Sequence, residues 1–102
     1  MAEVVTLVTG RVRAERVDEV TDPYRQALRD GPPPDLEETF LLRREGEEEI
    51  GILSVWHRRA DLDAMLASGE GPFARRLIRS AGGTPEVRIY EIVSRAAGVS
   101  HT

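Results

Sequence analysis

The chain has 102 residues, a length that fits one domain with a modest core. It contains no cysteine and no lysine, which excludes disulfide frameworks, thiolate nucleophiles, cysteine-ligated metals and lysine Schiff bases. The net charge of -4 argues against nucleic acid as a partner, and no apolar run or signal-like start points to a membrane, so a cytoplasmic location is the default expectation.

The first half of the chain predicts a strand, a helix and a second strand. Residues 4–13 are rich in β-branched side chains and form the first predicted strand. Over residues 15–30 apolar side chains recur at helical spacing, which predicts a helix, and Pro23 inside it predicts a kink or a restart. Residues 36–45 form the second predicted strand.

The second half predicts a third strand, two helices and a fourth strand. The third strand covers residues 49–58 and follows a hairpin turn in which Gly46 supplies a positive φ. A short helix follows over residues 61–67, and Pro72 fits the first turn of the next helix. Residues 86–94 form the last predicted strand.

This order of elements is typical of a ferredoxin-like βαββαβ domain. Such an α+β fold has an antiparallel sheet with its helices on one face. We expect a single domain over residues 4–95 and a flexible tail over residues 96–102. The first and third strands are expected to be central and adjacent, whereas the charges of the last strand favour an edge position.

The predicted strands are apolar on both faces. Neighbouring residues such as Leu7 and Val8, or those of the run 40–42, point to opposite sides of a sheet. The helices can cover only one side, and a large exposed apolar face is unusual on a monomer. We therefore expect a homodimer in which a second copy of the chain covers the other face.

The third strand and the segment after it carry a family resemblance. Ile52-Leu53-Ser54-Val55-Trp56 is followed by a polar stretch, the helix 61–67 and Phe73-Ala74, and this organisation resembles the antibiotic biosynthesis monooxygenase family. The resemblance implies a dimeric α+β barrel. It also implies a small enzyme that oxidises or rearranges an aromatic or polyketide-like molecule held between sheet and helices, with no bound cofactor.

The chain departs from the haem-degrading members of that family. Those relatives need an asparagine on the first strand, a tryptophan in the short helix and a haem-ligating histidine in the next helix. This chain has no asparagine, and Met65 and Leu77 stand nearest the other two positions. We therefore expect no haem. We also expect no metal site, because His57 with Asp61 or Asp63 supplies too few ligands.

Trp56 and His57 are the candidate catalytic residues. The indole of Trp56 could line a pocket and bind a substrate carbonyl through its N–H group, although a core role is the favoured interpretation. His57 is the one imidazole outside the tail and could act as a general base, although a solvated position without a role is favoured. The two side chains point to opposite faces, so only a twist or bulge at the strand end could bring them to one opening.

Thr9, Arg11 and Tyr90 are the candidate substrate-binding residues. Thr9 and Arg11, like Thr6 and Ser54, are polar positions on the strands expected to be central, and such positions often mark a cavity. Tyr24 lies on the apolar stripe of the first predicted helix, where packing is the favoured role. Tyr90 could offer a phenol group from the last strand. For Thr9 the alternative is simple strand propensity, since threonine suits strands.

Two classes of function remain open at this point. The first is a monooxygenase-like enzyme with the pocket described above. The second is a non-catalytic small-molecule-binding or dimerisation module, because one fold serves many functions. An RNA-binding domain would need exposed aromatic and basic residues on its central strands, and residues 4–8 have neither.

Overall fold

The computed structural model describes residues 4–31, 34–67 and 73–96. None of the helices within these ranges is long and apolar enough to span a membrane. The predicted first turn at Pro72 and most of the predicted C-terminal tail lie outside the described residues. The elements follow in this order: β1 (Val4–Arg11), a 3-10 turn (Ala14–Arg16), α1 (Asp18–Arg29), β2 (Leu36–Arg43), β3 (Glu49–Trp56), α2 (Arg59–Ala67), α3 (Phe73–Ser80) and β4 (Glu86–Glu91).

The four strands form one antiparallel sheet in the order β2-β3-β1-β4. This is the ferredoxin-like arrangement, and it confirms the prediction that the first and third strands are central neighbours. β4 lies at an edge, as its charges predicted. The fold is therefore the predicted α+β fold.

The strands are shorter than their sequence patterns predict. β4 ends at Glu91 because its last partner on β1 is Val4, where β1 begins. β2 ends at Arg43, short of the hairpin turn, which a bond from the Arg44 amide to the Glu49 carbonyl closes at 3.0 Å, and β3 ends at Trp56. Gly46 has the predicted positive φ, at 77°.

The first helix also differs from its prediction. Ala14–Arg16 forms a separate 3-10 turn, and α1 begins only at Asp18. α1 then continues through Pro23 without a second start, so the predicted restart is wrong. Pro23 is exposed, so the carbonyl that loses its amide partner there can bond to water instead.

The helices cover one face of the sheet, here called the helix face. On β1 this face carries Val4, Thr6 and Val8, which are all buried. The core above it is divided into two clusters, a larger one around Val8, α1 and α3, and a smaller one formed by Val4, Trp56 and Leu62.

The other face, here called the open face, has no helix against it. Apart from Val55, which is buried, its apolar side chains are half-buried or exposed: Phe40 is 46% exposed, Leu42 43% and Tyr90 51%. After β4 the chain crosses one end of the sheet, because Arg95 Nη1 lies 3.2 Å from Glu37 Oε1 on the opposite edge strand. A bulge between Leu36 and Glu38 inserts Glu37 into that strand.

Candidate functional site

Three hydroxyl groups form a row across the helix face. Thr39 pairs with Ser54, and Ser54 pairs with Thr6, so the three residues lie side by side on β2, β3 and β1. We call them the hydroxyl row. Thr6 and Ser54 are 2% and 7% exposed. The rows on either side are mostly apolar: Leu41, Ile52, Val8 and Val87 on one side, and Leu36, Trp56 and Val4 on the other.

This row separates the two core clusters. Val8 and Ile52 belong to the larger cluster, and Val4 and Trp56 belong to the smaller one. A band of hydroxyls between two apolar clusters costs folding free energy unless each hydroxyl finds a partner. Each hydroxyl of the row therefore needs a hydrogen-bond partner.

Two aromatic side chains bond to the row. Tyr24 on α1 is 8% exposed, and its hydroxyl donates to Thr39 Oγ1 at 3.1 Å. Thr39 Oγ1 lies 3.3 Å from Ser54 Oγ. At the other end, the Trp56 indole Nε1 donates to Thr6 Oγ1 at 3.0 Å. One residue of α1 and one residue of β3 thus bond to the two ends of the hydroxyl row.

Two hydroxyl hydrogens of this network have no acceptor among the described residues. Tyr24, Thr39 and Ser54 carry three hydrogens, and the two bonds that join them use two. Thr6 accepts from Trp56, and no bond in the described part of the chain uses its own hydrogen. When Thr39 donates to Ser54, which is one of the two directions that this bond allows, the remaining hydrogens belong to Ser54 and Thr6, which are both buried on adjacent strands.

Trp56 lies at the predicted strand end and belongs to the helix face. It is 3% exposed and packs with Val4 and Leu62. His57 follows it but is exposed, and its backbone amide donates to the Asp35 carbonyl at 3.0 Å. The chain leaves β3 between the two residues, so Trp56 is buried on the helix face and His57 is exposed at the strand end.

The predicted binding residues lie on the open face instead. Thr9 lines a hollow of about 330 Å³ over Gly51. Arg11 is exposed at the end of β1. Tyr90 lies on β4 opposite Val5, which is four residues along β1 from Thr9. The structure therefore places Thr9, Arg11 and Tyr90 on the face opposite the buried side chain of Trp56.

Sequence reasoning identified Thr6 and Ser54 as polar strand positions but missed Thr39 and treated Tyr24 as packing. The register could have identified Thr39. A hairpin centred between Gly46 and Glu47 pairs residue 39 with residue 54, which is the pairing observed.

Ionised side chains concentrate away from the row. A cleft of about 330 Å³ beside the 3-10 turn is lined by Arg11, Arg13, Arg16 and Glu48. Arg16 makes a two-pronged hydrogen bond to Glu19, which lowers the pKa of that carboxyl and raises the pKa of the guanidinium. Within the described ranges, no three histidine or acidic side chains come close enough together to hold a metal ion.

No known family model and no curated protein matches the chain. Among solved structures, the fold matches a putative antibiotic biosynthesis monooxygenase from Deinococcus radiodurans at 14% identity, 96% coverage of this chain, 99% of that chain and a TM-score of 0.64. SnoaB, a cofactor-independent oxygenase from Streptomyces nogalater, matches at 17% identity, 95% and 97% coverage and a TM-score of 0.60.

The haem-degrader MhuD from Mycobacterium tuberculosis, solved with two haems in its active site, matches at 19% identity. The alignment covers 92% of this chain and 99% of that chain, with a TM-score of 0.63. Another structure with this fold, that of NE2512 from Nitrosomonas europaea, is of a protein of unknown function. The α+β fold of the single chain is confirmed: it matches the fold of these solved antibiotic biosynthesis monooxygenase-type proteins.

Proposed function

We propose that the protein is a cofactor-independent, monooxygenase-like enzyme that acts on a small aromatic or polyketide-like molecule. Its pocket would be the space between sheet and helices at the hydroxyl row. The fold supports this proposal because it is shared with a cofactor-independent oxygenase, although one fold can serve many functions. The hydroxyl row supports it independently of the fold.

The observation that carries the proposal is the pair of hydroxyl hydrogens without an acceptor. Buried donors normally have partners, because leaving one unsatisfied costs about 1–3 kcal/mol. A ligand oxygen placed between Ser54 and Thr6 would accept both hydrogens. The apolar rows on either side would contact the faces or edges of a flat ring. The site therefore suits a flat molecule with a carbonyl or phenolate oxygen.

Such a site favours oxidation through the substrate's own anion. Hydroxyl donors aimed at an oxygen stabilise the negative charge that forms there when a neighbouring C–H or O–H group loses its proton. The anion would react with dioxygen: one oxygen atom would enter the carbon as a carbonyl, and the other would leave as water. The substrate supplies the electrons, so the chemistry needs no reductant.

The candidate residues take these roles in the proposal. Trp56 forms a wall of the pocket, since its N–H group already bonds to Thr6. His57 is the proposed base at the end of β3, and Tyr24 is an ionisable group in direct contact with the row. Thr9, Arg11 and Tyr90 lie on the open face, where they would bind a second copy or a ligand held between copies.

We also propose that the protein is a homodimer built through the open face. Phe40, Leu42 and Tyr90 are each more than two-fifths exposed there, and Leu7 and Leu53 lie between them. A contiguous apolar patch of this kind usually marks an interaction surface. The same observation favours the second candidate function, a non-catalytic dimerisation or binding module.

A dihydroxyanthrone tests the enzyme proposal, because it is flat and carries a carbonyl opposite an acidic methylene. Oxygen uptake and quinone absorbance report oxidation, and tryptophan fluorescence reports binding. We expect Ser54→Ala to lower turnover at least about tenfold by removing one donor, while the matched change Thr84→Val at an exposed threonine leaves it unchanged. Binding without quinone would support the non-catalytic module. Failure of the dihydroxyanthrone to bind would exclude this substrate class.

A further inference from the structure

Gly51 occupies a position where its own chain does not require glycine. It lies on the central strand β3, and the glycines with positive φ are others. A Cβ atom added to it would lie 3.5 Å from Thr9 Cγ2 and 3.6 Å from Leu7 Cδ1, which is ordinary contact. Gly10 differs, because a Cβ atom there would collide with Ile78.

The missing side chain leaves a hollow in the open face. The hollow measures about 330 Å³, with Leu7, Thr9 and Leu42 around Gly51 and charged residues at its rim. A glycine inside a strand weakens the strand, and it often marks a place where a ligand or another backbone comes close. The hollow is therefore better explained by something outside this chain than by its own fold.

The same face carries a projection that could fill such a hollow. Tyr90 is 51% exposed and points to the open face from the edge strand β4. It lies two strands away from Gly51 and four residues along, so about 16 Å separates them within one chain. Tyr90 cannot reach the hollow of its own chain. A two-fold interface needs a surface that complements itself, and a hollow and a projection on one face meet that need.

We infer that the hollow over Gly51 receives Tyr90 from a second copy of the chain. This inference rests on the proposed homodimer and adds its orientation and its point of closest approach. The phenol ring fills the space above Gly51, and its hydroxyl reaches the polar rim, an arrangement that suits tyrosine at interfaces. The glycine is thus retained for assembly and not for the fold of one chain.

Sedimentation equilibrium and thermal unfolding of Gly51→Ala test the inference. The added methyl group should leave the unfolding midpoint of dilute protein unchanged or higher, because the single chain has room for it. It should weaken the dimer by about tenfold or more, because it overfills the contact. Tyr90→Ala should weaken the dimer similarly, and Leu28→Ala, at an exposed leucine on α1, should not.

Double variants test the orientation. Gly51→Ala and Tyr90→Ala should be non-additive if the two residues meet across the interface. A wild-type monomer at tens of micromolar would overturn the homodimer and the inference together. A wild-type dimer that Gly51→Ala leaves unchanged, or additive double variants, would overturn the inference alone.

Discussion

The indole Nε1 of Trp56 donates to Thr6 Oγ1 at 3.0 Å across the two central strands. Trp56 pairs directly with Val4, so the ring reaches diagonally by one row to Thr6. This bond satisfies the one polar atom of the indole inside a buried cluster. It also fixes the ring against the hydroxyl row, where it can form a wall but has no hydrogen left to donate to a ligand.

The bond predicts a specific loss of stability. Thr6→Val keeps the side-chain shape but leaves the indole N–H unsatisfied, so it should lower the free energy of unfolding by about 1–3 kcal/mol. Urea denaturation followed by circular dichroism measures the change. In a Trp56→Phe background, which lacks the donor, the same substitution should cost much less. Equal costs in both backgrounds would show that the bond adds nothing.

The chain should not bind haem specifically. It has no asparagine, and Leu77, near the position of the family's haem-ligating histidine, is buried in the larger core cluster. His57 is exposed at the far end of β3. Titration with hemin should therefore give no saturable Soret shift at one haem per chain. Saturation at that ratio, lost in His57→Ala, would contradict the prediction and identify the ligand.

His57→Ala separates stability from catalysis. The imidazole is exposed, and the bond between the His57 backbone amide and the Asp35 carbonyl survives the substitution. The free energy of unfolding should therefore change by no more than about 0.5 kcal/mol. If His57 is the base, anthrone turnover should fall by roughly 10²- to 10⁴-fold. Unchanged turnover would remove His57 from the proposed mechanism, and His57→Gln would show whether any loss depends on proton transfer.

Local patterns in the sequence were sufficient to predict the sheet. The turn at Gly46 and the runs of β-branched residues predicted the strands and the central pair of strands. The charges of β4 predicted its position at the edge of the sheet. The boundaries were less predictable because a strand ends where its partner ends. β4 stops opposite Val4, and its own apolar pattern continues to Val93 beyond that point.

The candidate site was harder to predict because it depends on contacts between elements. The pattern placed Thr6 and Ser54 on central strands, but the bond from Tyr24 depends on how α1 lies over the sheet. The sequence also does not indicate how much space a side chain would have at each position of the sheet. The contrast between Gly51, which has space for a side chain, and Gly10, which does not, exists only in three dimensions.

The contact between Arg16 and Glu19 should make the stability of the fold depend on pH in the acid range. The Arg16 guanidinium donates from Nε to Glu19 Oε2 at 2.6 Å and from Nη2 to Oε1 at 2.9 Å, and it also reaches the Ser80 carbonyl at 3.4 Å. One side chain thus connects the 3-10 turn, α1 and the end of α3. These hydrogen bonds lower the pKa of Glu19 below its ordinary value, since they favour the charged carboxylate.

A carboxyl whose pKa is lower in the folded state binds protons more readily in the unfolded chain. Its contribution to stability is therefore present above the unfolded pKa, about 4.3, and is lost as pH falls through the folded pKa. Arg16 stays protonated throughout, because the same contact raises its pKa. Glu19→Gln should lower the thermal midpoint near neutral pH slightly, and this difference should shrink as pH falls through the folded pKa of the wild-type carboxyl. Scanning calorimetry from neutral pH to about pH 3 measures the difference, with Glu15→Gln in the neighbouring turn as the control. A Glu19→Gln profile parallel to that of the wild type would show that the contact does not persist in solution.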